Sequence, residues 1–444
     1  MSNCEKKITI NTKPYLKSMI STSKTDSQKQ FLIPMIIIGS LFFIFGFITW
    51  LNSVLIPFLR QACQLTDFQA YFVTFAFYLS YFVMAIPSSA ILKKIGFAKG
   101  MSVGLAVMAV GSLIFIPAAL SRSFPLFLVG LFMQGTGLTL LQTASNPYVT
   151  ILGPIESAAK RISIMGVCNK LAGMIGIFIL VKLLFSDTQA LSAKISTLTG
   201  TDLENELDLL AQRVIAPYII MTAVLTILSL AILKAHLPEI EPEGNSTDAS
   251  KTSLTKTSVF QFPHLVLGVL CIFVYVGVEV IAIDTLSLYG QYQGFDLSTS
   301  GNFSIYSLIA LTIGYLLGVI LIPKFISQNR SLQMSAIMGL VFVIGAMLTS
   351  GWVSIAFIVL LSFAHSFMWP AIWPLALDGL GSFTKIASAL LIMGIVGGAL
   401  LPLLYGALAD ATNRQMAYTI AAPCYAYILY FAAKGHNAGK TLSK

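Results

Sequence analysis

The residues with chemistry to offer concentrate in 140–153, Leu-Leu-Gln-Thr-Ala-Ser-Asn-Pro-Tyr-Val-Thr-Ile-Leu-Gly. Gln142 and Asn146 stand four residues apart, a spacing that stacks them on one face of a helix. The Phe, Leu and Val around them offer an amide no partner. An amide left unpaired in such surroundings costs roughly 2–7 kcal/mol. That face must therefore meet a polar neighbour or water. Pro147 removes a backbone bond beside the amides, a break that membrane helices tolerate where neighbours or water repair it. Two readings follow: amides that glue helices together, or a solute site halfway across a membrane.

Composition supports the membrane. The 444 residues are 56% hydrophobic and 10% charged, with a mean hydropathy of +0.84, whereas soluble domains carry roughly 25% charged residues. The five cysteines (Cys4, Cys63, Cys168, Cys271, Cys424) form no CxxC and sit near no histidine. They suggest neither a disulfide framework nor a metal site, and no cofactor is expected. The net charge of +9 comes with no basic patch interleaved with aromatics, so nucleic acid is not expected as a partner. HExxH and P-loop patterns are absent, which argues against a membrane metalloenzyme and an ATP-driven pump.

Apolar runs predict helices at about 32–57, 66–92, 100–120, 124–151, 162–185, 215–234, 264–289, 300–323, 332–350, 352–377, 386–408 and 414–433. The fold class is therefore all-α integral membrane, twelve transmembrane helices in two six-helix bundles. Residues 1–31 read as a basic arm with no apolar signal core, 32–235 as the first bundle and 236–262 as a polar linker. Residues 263–434 read as the second bundle and 435–444 as a tail. Placing both termini in the cytoplasm puts twenty Lys and Arg inside against six outside, as the positive-inside rule requires. Leu203, Leu207 and Leu210 in the loop 186–212 recur at helical spacing beside several acids and predict a short surface helix.

Polarity within the spans is sparse. The first holds Thr49, Asn52 and Ser53; the fourth, Gln134, Gln142 and Asn146; the fifth, Asn169 and Lys170. The seventh holds Tyr275, Glu279 and Asp284, and the tenth His365, Trp369 and Trp373. Spans one, four, seven and ten carry much of it, which suits repeats whose first helix lines a cavity at the midplane. The glycines of spans eight and eleven suit close packing. Trp369 reads either as cavity lining or as filler. Ionisable groups in a span cost at least ~2.5–3.5 kcal/mol at its centre. Lys170 either snorkels to the cytoplasmic edge or faces the cavity. Asp284 reads as a near-surface acid at the outer end of its helix, with a coupling role as the alternative. Glu279 lies deeper and needs a partner or a proton.

At these residues the chain resembles the fucose–galactose–glucose/proton symporters of the major facilitator superfamily, from about residue 31 to 430. The marks are Trp50-Leu-Asn-Ser-Val-Leu-Ile-Pro57, Leu65-Thr-Asp-Phe-Gln-Ala70, Ala76-Phe-Tyr78 and Leu141-Gln-Thr-Ala-Ser-Asn-Pro147. Tyr275-Val-Gly-Val-Glu279, Ile395-Val-Gly-Gly-Ala399 and Gly406-Ala-Leu-Ala-Asp410 complete the series. The resemblance implies a two-bundle fold in a bacterial inner membrane and uptake of a monosaccharide or sugar derivative by alternating access. It also implies solute contacts at Asn52, Ser53, Gln142, Asn146, Asn169 and Glu279.

The chain departs from the family at several of those positions. Ser53 stands where the family usually has a proton-coupling aspartate, and Gln142 where the fucose branch has a glutamate and the glucose/galactose branch also has a glutamine. Lys170 replaces a small polar residue, His365 an asparagine, and Asp284 is an added acid. Asn52, Ser53, Gln142, Asn146, Asn169, Lys170, His365 and Trp369 are accordingly the candidate solute contacts. Glu279, Asp284 and His365 are the candidate proton carriers. The expected partners are a sugar, a proton (with sodium as the alternative ion) and the lipid bilayer, for a chain acting as a monomer. A uniporter, a polyspecific exporter and a non-transporting sugar sensor are the alternatives.

Overall fold

The computed structural model describes residues 35–151, 158–185, 194, 197–234, 258–322, 325–380 and 383–440, without the side chains of 146–151, 158–163 and 384–385. The basic arm, the Asn146 side chain and most of the linker expected at 236–262 lie outside the described residues.

Among the described residues, twelve helices are long and apolar enough to cross a membrane. The first six are Met35–Ala62, Asp67–Ile95, Phe97–Leu120, Phe124–Ser145, Ile164–Phe185 and Thr201–Lys234. The second six are Pro263–Asp284, Leu297–Leu321, Gln328–Leu348, Gly351–Leu377, Ile386–Ala411 and Met416–Ala433. The sixth divides into a surface helix, Thr201–Gln212, and a crossing helix, Ile215–Lys234. The surface helix buries Leu207 and Leu210 against the ends of the first and third spans, while Arg122 pairs with its Glu204 and Asp208. Large apolar side chains such as Phe82, Leu113, Ile220, Ile320 and Leu348 remain exposed on the outer faces. They would be ruinous in water and are ordinary in lipid.

Between spans without a hydrophobic drive to associate, close backbone approach does the packing. A Cβ at Gly137 would lie 2.3 Å from the Gly104 carbonyl oxygen, so the third and fourth spans meet backbone to backbone. Gln134 donates to Ser112 at 2.9 Å across that seam, and Ser102 and Ser229 exchange hydrogen bonds between the third and sixth spans. These buried groups are helix glue. The first and fifth spans touch at Gly46, where a Cβ would come 1.8 Å from the Asn169 carbonyl oxygen.

Among the described residues, several helices of the second half are broken. The seventh span stops at Asp284 and resumes as Leu286–Tyr292, with the Thr285 hydroxyl bonding back to the Ile281 carbonyl at 2.7 Å. The tenth breaks between Gly351–His365 and Met368–Leu377, where Pro370 cannot donate and its ring crowds the carbonyl of residue 366. The eleventh breaks between Thr384–Gly394 and Gly397–Ala411. The continuation to Tyr292 corrects the expectation for Asp284. It is not near the surface: it is 1% exposed, with eight further residues of chain before that helix ends.

The two halves meet along the second and eleventh spans and along the fifth and eighth. One end of this seam is latched. Arg414 from the second half forks onto the Asp67 carboxylate at 2.6 and 2.9 Å, and Arg60 adds a 2.6 Å contact to the same group. In return, Asp410 accepts the backbone N–H groups of Asp67 and Phe68, both at 2.9 Å. Burial works against the Arg414 charge, yet the hydrogen bond and charge of Asp67 outweigh it and hold the guanidinium above the ordinary arginine range. Behind the latch, Tyr71 and Tyr405 meet edge to face at 5.6 Å, and a Cβ at Gly406 would lie 2.5 Å from the Tyr71 ring.

The pair is largely buried, with side-chain exposures of 14% and 6%, so removing one partner strands the other charge. Breaking such a pair costs about 3–5 kcal/mol. Arg414→Gln is expected to open this end. Spin labels at exposed Ser121 and Ser298, one on each half, should then show a longer-distance population. An unchanged distance distribution would mean that the latch does not hold the halves together.

Candidate functional site

The polar centre is assembled from both halves. Trp50, on the first span, donates its indole N–H to the Asn169 side-chain oxygen at 3.2 Å. The Asn169 amide nitrogen reaches the Phe42 carbonyl at 3.4 Å, so this asparagine is oriented from two sides. A Cβ at Gly173 would lie 2.4 Å from the Trp50 ring, which is why the fifth span can lie against the indole. The next residue, Lys170, sets its ammonium 4.4 Å from the centre of the Trp50 ring and 5.8 Å from that of Tyr315, which belongs to the second half. Ammonium on an aromatic face is attractive, and more so where water is scarce.

Glu279 faces Lys170 from the seventh span, near enough that each feels the other's charge. The Tyr275 hydroxyl lies beside Glu279 and Tyr315. Tyr275 also packs on Trp369 with ring centres 6.1 Å apart, and Trp369 on Trp373 at 5.4 Å. Gln142 stands against the Tyr81 hydroxyl. Gln142, Asn169, Lys170, Glu279, Tyr315, Trp369 and Trp373 are each partly accessible. The centre thus retains open surface. It combines an ammonium, a carboxylate, amides and flat aromatic faces, a set suited to a small polyhydroxyl solute.

Other expected residues lie elsewhere. Ser53 is fully buried and donates to the Trp50 carbonyl at 2.8 Å. Asn52 is 1% exposed with its amide nitrogen unpartnered, on a helix packed against the seventh span. His365 is buried inside the second half, bonded to the Tyr425 hydroxyl at 2.7 Å and screened from the centre by Tyr275, with ring centres 6.1 Å apart. The geometry sets Lys170 on an aromatic floor, not snorkelling to an edge. A separate crevice of about 360 Å³, lined by Ile36, Gly39, Phe43, Ile44 and Leu228 among others, is apolar and outward-facing and shares nothing with this centre.

Sequence reasoning passed over Trp50, Tyr315, Tyr78 and Tyr81 as site residues. Trp50 stood inside a quoted motif, and Tyr315 inside the Gly314–Gly318 stretch read as packing. That packing is present, since a Cβ at Gly314 would lie 2.0 Å from the Ser366 hydroxyl. Tyr315 simply occupies another face of the same helix.

Comparison with known proteins agrees with this architecture. A family model described as Major Facilitator Superfamily matches residues 38–402. A glucose/galactose transporter of Brucella abortus biovar 1 (strain 9-941) is 33% identical over 419 residues, spanning 94% of this chain and 97% of that protein. The L-fucose-proton symporter of Escherichia coli (strain K12) is 30% identical over 429 residues, spanning 95% and 98%. The crystal structure of the Major Facilitator Superfamily transporter FucP in the outward conformation superposes with a TM-score of 0.66 at 29% identity, over 90% of this chain and 98% of that one.

The accessibility contrast is testable. In a background with all five native cysteines replaced, a Lys170→Cys variant is expected to react with a water-soluble thiol reagent. A His365→Cys variant should stay unmodified. Equal labelling of the two, or an unreactive position 170, would contradict the geometry.

Proposed function

Because the chain belongs to the Major Facilitator Superfamily, we propose that it is a secondary transporter that takes up a neutral hexose across a bacterial inner membrane. One observation carries the reading. The two halves pool amides, aromatic faces and one opposite-charge pair around a single polar centre, in a chain whose relatives are named for glucose, galactose and L-fucose. Charge distribution supports cytoplasmic termini, which makes the Asp67–Arg414 end the outer one.

Each polar group then has a role. Trp369 offers a flat face to the apolar side of a pyranose ring, while Trp50 holds Lys170 and Asn169 in place. Gln142 and Asn169 offer hydrogen bonds to its hydroxyls. Lys170 and Glu279 are opposite in sign and belong to opposite halves. A proton on Glu279 cancels one charge and loosens that tie, which makes the carboxylate the natural coupling point at the centre. Ser53 and Gln142 cannot titrate in a useful range, so the family's usual carrier positions are silent here. Uniport is the second reading, favoured by Ser53 and by a Glu279 already countered by Lys170.

Proteoliposomes carrying the purified protein, an imposed pH gradient and radiolabelled D-galactose, D-glucose or L-fucose test the proposal. Accumulation above equilibrium that collapses with the gradient is expected for at least one sugar. Gln142→Ala should weaken its binding by about 1–3 kcal/mol, the cost of leaving a hydroxyl unpaired. Equilibration without accumulation would select uniport. No movement of any of the three would overturn the reading.

A further inference from the structure

The seventh span holds a second acid that the central site does not use. Asp284 is 1% exposed, and neither carboxylate oxygen has a hydrogen-bond partner. It sits where the helix breaks before Thr285, on the latched side of Glu279. Val280, one turn deeper on the same face, meets Tyr78 of the first half at Gly398, where a Cβ would lie 3.1 Å from Val280 and 3.2 Å from the Tyr78 ring. Asp284 therefore belongs to the seam between halves, below the Asp67–Arg414 latch.

Its surroundings offer no cation. The ionisable groups acting on it are Glu279, on its own helix, and Tyr78 across the seam. The eleventh and twelfth spans present hydroxyls already engaged: Tyr405 donates to the Arg414 carbonyl at 2.8 Å, and Tyr418 pairs with Thr285 at 2.7 Å. Tyr81 stacks on Tyr78 and stands against Gln142. Arg60 and Arg414 are spent on Asp67. Lys170 lies with Glu279. A bare carboxylate here would keep the full cost of leaving water with nothing to offset it.

We propose that Asp284 is the outer proton-loading group of the transport cycle, closed off by the seam between Tyr78, Gly398 and the Asp67–Arg414 latch. The proposal rests on the reading of the chain as a proton-coupled carrier. When the latched end opens, the Asp284 carboxylate meets outer water and binds one proton, becoming a neutral carboxylic acid. Closure of the seam buries that neutral acid. On passing that proton inward to the Glu279 carboxylate, five residues deeper, Asp284 becomes a carboxylate again; Glu279 releases the proton to the inner side, and the next opening of the latched end returns the Asp284 carboxylate to outer water. Tyr78 is the hydroxyl that both acids feel, and it comes from the opposite half. The path is thus complete only when the halves are together. The coupling that Ser53 cannot provide is supplied from the other half of the molecule.

The test pairs transport with a readout independent of it. Radiolabelled D-galactose, with D-glucose and L-fucose beside it, is presented to proteoliposomes of the native protein, Asp284→Asn and Tyr78→Phe. Asp284→Asn is expected to lower pH-gradient-driven accumulation at least tenfold, and far more than it lowers sugar exchange at equal pH. Tyr78→Phe should slow accumulation in the same sense. Infrared difference spectra of native protein minus Asp284→Asn should show, at neutral pH, the carbonyl band of a protonated carboxylic acid. If Asp284→Asn does not fold by thermal unfolding, Asp284→Ser replaces it in both measurements. Native-like accumulation by the variant, or absence of the band, overturns the proposal. If the native protein moves none of the three sugars, the transport reading fails by itself, and the band alone decides whether Asp284 holds a proton.

Discussion

Two opposite charges brought together from two halves, deep among apolar helices, are the constraint on which this structure depends. Lys170 comes from the fifth span and Glu279 from the seventh, and each lies in the other's field. A single charge at the centre of a span costs at least ~2.5–3.5 kcal/mol. Two that meet offset part of that cost, provided the halves hold them in register. The Trp50 and Tyr315 rings around the ammonium add to the offset and also come from different halves. The polar centre is thus both the place where a solute would bind and the place where the halves recognise each other.

The rest of the molecule serves that arrangement. Gly46 and Gly173 let the first and fifth spans close on each other, which puts Trp50 beneath Lys170 and against Asn169. The latch, by contrast, engages flanking loops and helix ends: a bidentate arginine on Asp67, and a carboxylate of the second half capping the first turn of the second span. It is polar and sits at one end of the seam, where the halves must part for that end to open. Helix breaks in the seventh and eleventh spans lie on helices that meet the first half, where freed backbone groups can be re-satisfied as the halves move.

Much of the fold was legible in the sequence. Twelve apolar runs at the length of a bilayer admit few alternatives, and the expected spans agree with the helices to within a few residues at most ends. The surface helix announced itself through Leu203, Leu207 and Leu210. The site was legible as residue types but not as partnerships. The pattern of the expected helix 264–289 left Asp284 near its outer end, whereas the packing of Leu286–Tyr292 against neighbouring helices buries it. His365 and Lys170 carry similar signals in one dimension. Yet one is buried behind Tyr275 and the other faces the centre, a difference set by which side of each helix meets its neighbours. Tyr78 and Tyr315 looked like ordinary apolar filler, since a tyrosine's role depends on where its hydroxyl ends.

The most direct measurement is a double-mutant cycle on the central pair, read as thermal unfolding of the native protein, Lys170→Met, Glu279→Gln and the double variant in one detergent. If the two charges compensate each other across the seam, each single variant strands its partner and lowers Tm, while the double variant recovers much of the loss. The coupling should be positive and at least about 0.5 kcal/mol, above the scatter of independent sites. Strictly additive losses would contradict the account, because they would mean that the two halves carry independent charges.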